Sequence, residues 1–518
     1  MELSNYPRSR GHEEAPPALL PDLSQVKNSS FSASQQQGYS ATIFLRRKDK
    51  LEKTQQKCIA IFALLCCFAV LLVLIFSSVD IWGDSEDGIT EENCRTDCRI
   101  VLVETIPEEL KEHLNGGPHL SLLAGFHTLL DQAKHSVQIV SPVWNLRPSE
   151  TMQSRERLGQ PLFQRLLSLK SRGVKLKIAS SLTNSTEQKI LAEHNAEVHL
   201  VNMTAFTRGQ LHSSFWIIDR THFYIGSADM DWRSFSKRKE LGLMVYNCSC
   251  LALDLHRIFS FYWQLHDRDY IPSIWSKRVT ALYGNHQALE LELNNTPAVA
   301  YVSTSPDLFC AKERTRDVDA IYHVMQSANA FIFISVTDYL PLVTRGLRGI
   351  SVTRYWSPLD EMIREAVVLR GIKVRLLISF WKNTHPLTFN FVTSLKSLCV
   401  QLYNCSLEVK FFSQKEKKDD AQHGLNHNKY MLTDNAFYIG NHNWVGNEFS
   451  DNGGVGLVVQ MKNGGGKVLE QIKTAFDRDW TSPYSKSLLG NKDQDNKYRH
   501  LHQVNTKEEN EWKNGLVV

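Results

Sequence analysis

The feature that most limits what this chain can fold into is an internal repeat. "AKHSVQIVS" (133–141) returns in character as "SANAFIFIS" (327–335), each a helix end running into an apolar strand. "RGVKLKIAS" (172–180) returns as "RGIKVRLLIS" (370–379), each a glycine stop followed by an alternating strand. "LHSSFWIID" (211–219) and "NHNKYMLTD" (426–434) come next, and each is closed by "FYIG" (223–226 and 437–440). Three elements in one order at similar spacing demand a body of two similar halves. "PLFQRLLSLKSR" (161–172) and "LDEMIREAVVLR" (359–370) carry helical spacing between the strands, which predicts an α/β class. Two pseudo-symmetric halves bring equivalent strand ends together at their interface.

The repeat also carries chemistry. The second copy holds His427, Lys429, Asp434, Gly440 and Asn443 in order. On an extended strand His427 and Lys429 face the same side, because side chains alternate with period two. An imidazole beside an ammonium packs poorly in a core and binds anions well. Gly440 lets backbone approach a ligand, and Asn443 offers amide donors. The first copy keeps His212 and Asp219 but has Ser214 where the lysine stands in the second.

These residues resemble the H-x-K-x4-D and G-S/T-x-N pattern of the phospholipase D superfamily. The likeness covers nearly all of residues 100–490 and looks closest to a type II membrane-anchored vertebrate group, with departures like those of that group's inactive branch. The resemblance implies two phospholipase D-like α/β/α halves in one body. It implies that one histidine attacks phosphorus and the other protonates the leaving alcohol. His212 and His427 occupy those positions, Asp219 and Asp434 follow in the motifs, and Glu240 matches the acidic residue downstream of the first copy. Lysines and asparagines hold the nonbridging oxygens, and no metal or cofactor is expected.

The departures fall on phosphate contacts. Ser214 replaces lysine, Asp229 in "GSAD" replaces the motif asparagine, and Asn441 in "GNHN" replaces a small hydroxyl, with His442 beside it. Losing a lysine and gaining an ionised aspartate shifts the site toward negative charge. Loss of one oxyanion donor costs ~10²–10³ in rate. The expectation is an inactive, phospholipase D-like pseudoenzyme. Two alternatives stand beside it. One is a working phosphodiesterase, a single-strand exonuclease or a lipid hydrolase/transferase, that uses His212 and His427 on an altered substrate. The other is a non-catalytic binding or adhesion ectodomain.

"CIAIFALLCCFAVLLVLIFSSV" runs from Cys58 to Val79 without a charge. As a helix it reaches about 33 Å, close to the ~30 Å hydrocarbon core. A signal peptide would start nearer the N-terminus and be shorter, and a buried core helix is the other reading. Six Lys/Arg lie between Arg46 and Lys57 and none just after the run, so the positive-inside rule predicts a type II signal-anchor with a lumenal or extracellular body. That body carries five glycosylation sequons, at Asn184, Asn202, Asn247, Asn294 and Asn404. It also carries seven cysteines. Cys94 and Cys98 face Cys248 and Cys250, a set that could hold zinc but outside the cytosol reads as disulfides. Cys310, Cys399 and Cys405 remain, and an odd number leaves at least one thiol without a partner in the chain.

The expected organisation is a disordered cytosolic tail (1–57), a transmembrane helix (58–79), a lumenal stalk (80–100), two repeats (101–300 and 301–490) and a polar C-terminal tail (491–518). Partners expected are the membrane through its single span, a second copy as a homodimer, and a phosphate-containing ligand; no specific protein partner can be named. The net charge of +4 argues neither for nor against nucleic acid. "NGGGKV" (463–468) lacks the phosphate-loop spacing, and "QKEKKDD" (414–420) reads as a solvated turn.

Overall fold

The structure is a computed structural model that describes residues 57–71, 88–114, 119–147, 157–183, 185–271, 280–347, 350–414, 424–462 and 464–487. The chain divides into two compact units, Met1–Gly83 and Asp84–Val518. In the first, residues 57–71 are helical and exposed along their whole length. Among the described residues no helix is long and apolar enough to cross a membrane. The rest of the expected span, 72–79, lies outside the described residues, as do residues 1–56 and 488–518 of the tails and Asn184.

The second unit realises the repeat in its strand order. In the first half these elements are β1 (Asp97–Thr105), α1 (Leu122–Asp131), β2 (Ser136–Val140), α2 (Gly159–Ser168), β3 (Lys175–Ser181), α3 (Thr186–Glu193), β4 (Glu197–Val201), β5 (Phe215–Ile218), β6 (His222–Gly226), β7 (Glu240–Tyr246) and α4 (Ser249–Gln264). Hydrogen bonding orders the strands β1-β7-β6-β5-β2-β3-β4, parallel along β2-β3-β4 and antiparallel elsewhere.

The second half follows with β8 (Leu289–Leu293), β9 (Thr296–Ser305), α5 (Asp317–Ser327), β10 (Phe331–Val336), β11 (Leu342–Leu347), β12 (Ile350–Tyr355), α6 (Pro358–Val368), β13 (Lys373–Ser379), α7 (Leu387–Ser397), β14 (Leu407–Phe412), β15 (Tyr430–Thr433), β16 (Ala436–Gly440), α8 (Gly446–Asp451), β17 (Gly454–Met461) and α9 (Lys467–Thr481). Its order, β9-β17-β16-β15-β10-β13-β14, repeats the first half strand for strand and sense for sense. β8 pairs with β9 and, in parallel, with β1, which ties the two sheets together.

Each half has its own apolar core. Phe126, Leu129, Phe163 and Leu166 pack on Ile139, Ile178 and Trp216 in the first. Ile321, Val324, Ile363 and Val392 pack on Ile334 and Leu376 in the second. α4 contacts β9, and α9, the counterpart of α4, contacts β1, so each half's last helix reaches the strand that occupies the same place in the other half's sheet. The predicted helices at 161–172 and 359–370 are α2 and α6, and the glycines that end them, Gly173 and Gly371, have φ of 70° and 64°. The stalk differs from expectation at its end: β1 begins at Asp97, so Cys98 already lies in the sheet.

Candidate functional site

His212 and His427 stand on extended chain just ahead of β5 and β15, not within those strands. The expected strand is therefore shorter, because the backbone there pairs across the halves. His212 N donates to Gly453 O at 2.8 Å, and His427 N donates to Lys239 O at 2.8 Å. Each motif histidine is thus tethered to the opposite repeat.

The carboxylates are crossed in the same way. His427 Nδ1 lies 2.9 Å from Glu240 Oε2, the first residue of β7. Ser227 and Ser234 hydroxyls donate to the Glu240 oxygens at 2.6 and 2.9 Å. Burial pushes the Glu240 carboxyl up to about 7. Burial, then the Lys429 ammonium, hold His427 well below the usual imidazole range. His427 is therefore neutral, with Lys429 Nζ donating to its Nε2 at 2.9 Å.

His212 Nδ1 is held by Glu448 Oε2 at 2.8 Å, from α8. This carboxylate is not the structural counterpart of Glu240. Gly226 pairs with Gly242 across β6 and β7, and Gly440 pairs with Gly456 across β16 and β17. Glu240 stands two residues before Gly242, so its counterpart is Gly454. A Cβ on Gly454 would come within 1.9 Å of His442 Nε2. The His442 ring fills the room an acid would take there, and Glu448 supplies the carboxylate from a helix instead. Burial pushes His212 down, but the Glu448 carboxylate outweighs it and the net shift is upward. Burial pushes Glu448 up, yet His212 and His442 draw it well below the carboxylate range. The two histidines are thus shifted in opposite directions, His212 upward and His427 downward.

The phosphate side of the cleft is altered. Ser214 is buried, and its hydroxyl donates to Ala228 O at 2.5 Å. Asn441 donates to Gly226 O and Ser214 O at 2.9 and 3.3 Å and spans the halves. Asn443 Nδ2 donates to Glu448 Oε1 at 3.1 Å. Asp229 lies 3.5 Å from the Arg238 guanidinium, and burial raises its carboxyl above the ordinary range. Arg238 returns one of the positive charges that the Ser214 and Asp229 replacements take away. His212, Ser214, Asp229, Arg238, His427, Lys429, Asn441 and Asn443 all line one cleft of about 420 Å³.

The motif aspartates are elsewhere. Asp219 accepts from the backbone N–H of Lys134, His135 and Ser136 at 2.7 to 2.9 Å, which pins the start of β2. Asp434 accepts from Asn329 N and Ala330 N at 2.9 and 3.0 Å, which does the same for β10. Neither is among the residues lining the cleft, so they are fold-holding positions. The cysteines pair as Cys94–Cys250 and Cys98–Cys248. A third disulfide joins Cys399 to Cys405 and leaves Cys310 as the free thiol of the described body. Asn202 is exposed on the rim of the cleft, and Asn247 and Asn404 are exposed. Asn294 is committed to the backbone of Ile100, accepting from its N and donating to its O at 2.9 Å.

Two functional residues escape a reading of the motifs: Glu448 has no place in the pattern, and Arg238 sits in "SKRKE", which looks like a solvated face. His442 is visible only as the variable position of "GNHN", without a role. Folding supplies the roles: Glu448 reaches His212 across the halves, while Arg238 meets Asp229 and His442 meets Glu448 within one half. His212, His442 and Glu448 are also a group, among the described residues, whose ligating atoms could share an ion.

Comparison with known proteins places these observations in a family. Residues 114–417 match the family described as "PLD3/4, PLD-like domain". The chain is 50% identical over 479 residues to proteins named inactive phospholipase D5 from Mus musculus and Homo sapiens, covering 90% of this chain and 88% of each relative. It is 37% identical over 440 residues to the 5'-3' exonuclease PLD3 of Xenopus laevis, covering 82% of this chain and 88% of that one. Among solved structures, phosphatidylserine synthase of Haemophilus influenzae aligns with a TM-score of 0.51 at 11% identity, over 76% of this chain and 92% of that one, a likeness of fold alone.

Proposed function

The chain belongs to the phospholipase D family, and on that premise we propose that it is a membrane-anchored pseudoenzyme of that family. It is a catalytically inactive phospholipase D-like protein, as the relatives named inactive indicate. The observation that carries the reading is Ser214. A short hydroxyl turned onto Ala228 O stands where a phosphate-binding ammonium is required, and Asp229 presents a carboxyl to the same cleft. Losing one donor to the developing charge costs ~10²–10³ in rate, and a carboxylate beside it opposes phosphate binding as well.

In this reading the 58–79 run is a single span, supported by its apolar length and by the six Lys/Arg before it. The body is then lumenal or extracellular and glycosylated. Its three disulfides suit an oxidising compartment. A phosphate-containing ligand held without turnover, and a homodimer, belong to the same proposal.

The test is hydrolysis of a model phosphodiester, phosphatidylcholine and single-stranded nucleic acid by the purified chain, beside Ser214→Lys/Asp229→Asn. Wild type is expected to release no product, and the double variant to gain 10²-fold or more over background. Wild-type turnover equal to that of the double variant, and dependent on His427, would overturn the reading. One observation favours the second reading, an active phosphodiesterase of altered substrate: both motif histidines still share the cleft, with His212 shifted upward and His427 downward, the directions an acid and a nucleophile need.

A further inference from the structure

We propose that His212, His442 and Glu448 bind one divalent transition-metal ion of the zinc class, with its remaining coordination position open to the cleft. The proposal goes beyond the pseudoenzyme reading and stands whether or not turnover survives.

The donor atoms converge. His212 Nδ1 and His442 Nδ1 approach the same oxygen, Glu448 Oε2, at 2.8 and 3.2 Å, and the three ligating atoms lie within 4.8 Å of one another. A tetrahedral zinc holds such atoms at about 2.0–2.2 Å, which separates them by about 3.3–3.5 Å. Small side-chain shifts reach that shell. Two imidazoles, one carboxylate and an open fourth position form a donor set that zinc takes at reactive sites.

The outer partners of His442 are in place. Ser303 and Ser305 hydroxyls donate to the two oxygens of buried Asp317, at 2.5 and 3.0 Å. Ser305 Oγ is also hydrogen-bonded to His442 Nε2, while His442 Nδ1 lies 3.2 Å from Glu448 Oε2. A histidine whose far nitrogen is anchored through a hydroxyl to a carboxylate has the outer partners of a metal ligand. Asn443 Nδ2 occupies the other Glu448 oxygen and leaves Oε2 to the two rings.

The setting fits a ligand site with one open side. The His442 side chain is 1% exposed and Glu448 12%, while His212 is 30% exposed and lines the cleft. Gly454 provides the room for the second imidazole. An ion there brings two positive charges to a cleft whose lysine is replaced by Ser214, and so restores attraction for a phosphate oxygen.

The test uses the full chain in detergent, stripped with a chelator and dialysed against Zn²⁺, with bound metal counted per chain. One zinc per wild-type chain is expected, and at least 10²-fold weaker binding in His442→Gln and in His212→Asn. Ser305→Ala, which removes an outer partner, is expected to weaken binding 10–100-fold. Cobalt(II) in place of zinc should give the strong visible absorption of a tetrahedral site in wild type alone. His212→Asn lies at the cleft mouth, so it remains a test if a buried variant fails to fold; thermal unfolding of the metal-free chains identifies such a variant. Zinc uptake that is absent from wild type, or equal in wild type and His212→Asn, overturns the proposal and leaves His212, His442 and Glu448 as a hydrogen-bonded cluster.

Discussion

Arg238 Nη1 lies 3.5 Å from Asp229 Oδ2, with side chains only 9% and 15% exposed. The carboxyl that replaces the motif asparagine is therefore matched by a guanidinium the motif does not contain. Arg238 also reaches Asp231 at 3.4 Å, so its loss leaves two acids without this cation. Removing one partner of a buried pair costs about 3 kcal/mol or more, much of it from stranding the other charge. Arg238→Met is expected to lose about that much in urea unfolding. Asp229→Asn should cost less, and the double variant should recover part of the Arg238→Met loss. Strictly additive losses would show that the two groups are not coupled.

The His212–Glu448 pair predicts a stability window in pH. Glu448 is held below its usual range in the folded state, so its contribution is present above about 4.5 and is lost as pH falls through the folded value. His212 is held above its usual range, so its contribution is full below about 6.5 and is lost as pH rises through the folded value. The pair is worth most between those limits. In chains stripped of metal with a chelator, the gap in melting temperature between wild type and His212→Asn should be widest near pH 5.5 and should narrow by pH 9. A gap that widens on going alkaline contradicts the assignment.

Cys94–Cys250 and Cys98–Cys248 close loops with sequence separations of 156 and 150 residues, and they run side by side. Either bond alone removes most of the unfolded chain's freedom, worth about 5 kcal/mol on the chain-entropy account. Once one is in place, the second closes only the short ring through the two Cys pairs, worth about 2 kcal/mol. Replacing Cys94 and Cys250 with serine is therefore expected to be tolerated, whereas replacing all four cysteines should cost several-fold more. Guanidinium unfolding of the three chains measures this, and equal costs for one bond and for two would contradict it.

The halves, the helix stops and the histidine frame were legible in the sequence because each rests on local pattern. Alternation marks β3 and β13, and glycine marks the ends of α2 and α6. The cysteine quartet was legible as a set, but four cysteines allow three connectivities, and only the placement of β1 beside β7 chooses one. The site was half legible. Lys429 and Ser214 lie inside a motif with fixed spacing. Glu448 reaches His212 across the contact between repeats, and Arg238 and His442 meet partners distant along their own repeats, so no spacing along one strand points to them. Gly454 illustrates the limit best. In sequence it is one glycine of a pair, and only the register of β16 against β17 identifies it as the place of an acid now occupied by an imidazole.

The sequons differ in how their amides are held. Asn294 accepts from Ile100 N and donates to Ile100 O, both at 2.9 Å, so its amide is committed to joining the β8–β9 turn to β1. A glycan on that nitrogen would remove one hydrogen for bonding and place a sugar against a sheet edge. Asn202, Asn247 and Asn404 are exposed. In chain made through a secretory pathway, glycopeptide mass spectrometry should find these three occupied and Asn294 bare. Asn202 stands on the rim of the cleft that holds His212 and His427, so a glycan there would also narrow access for a long polymer. Asn202→Gln should then bind a single-stranded oligonucleotide more tightly than wild type while binding inorganic phosphate equally. Equal oligonucleotide affinity in the two chains, with Asn202 shown to be glycosylated, would remove the rim sugar as a barrier.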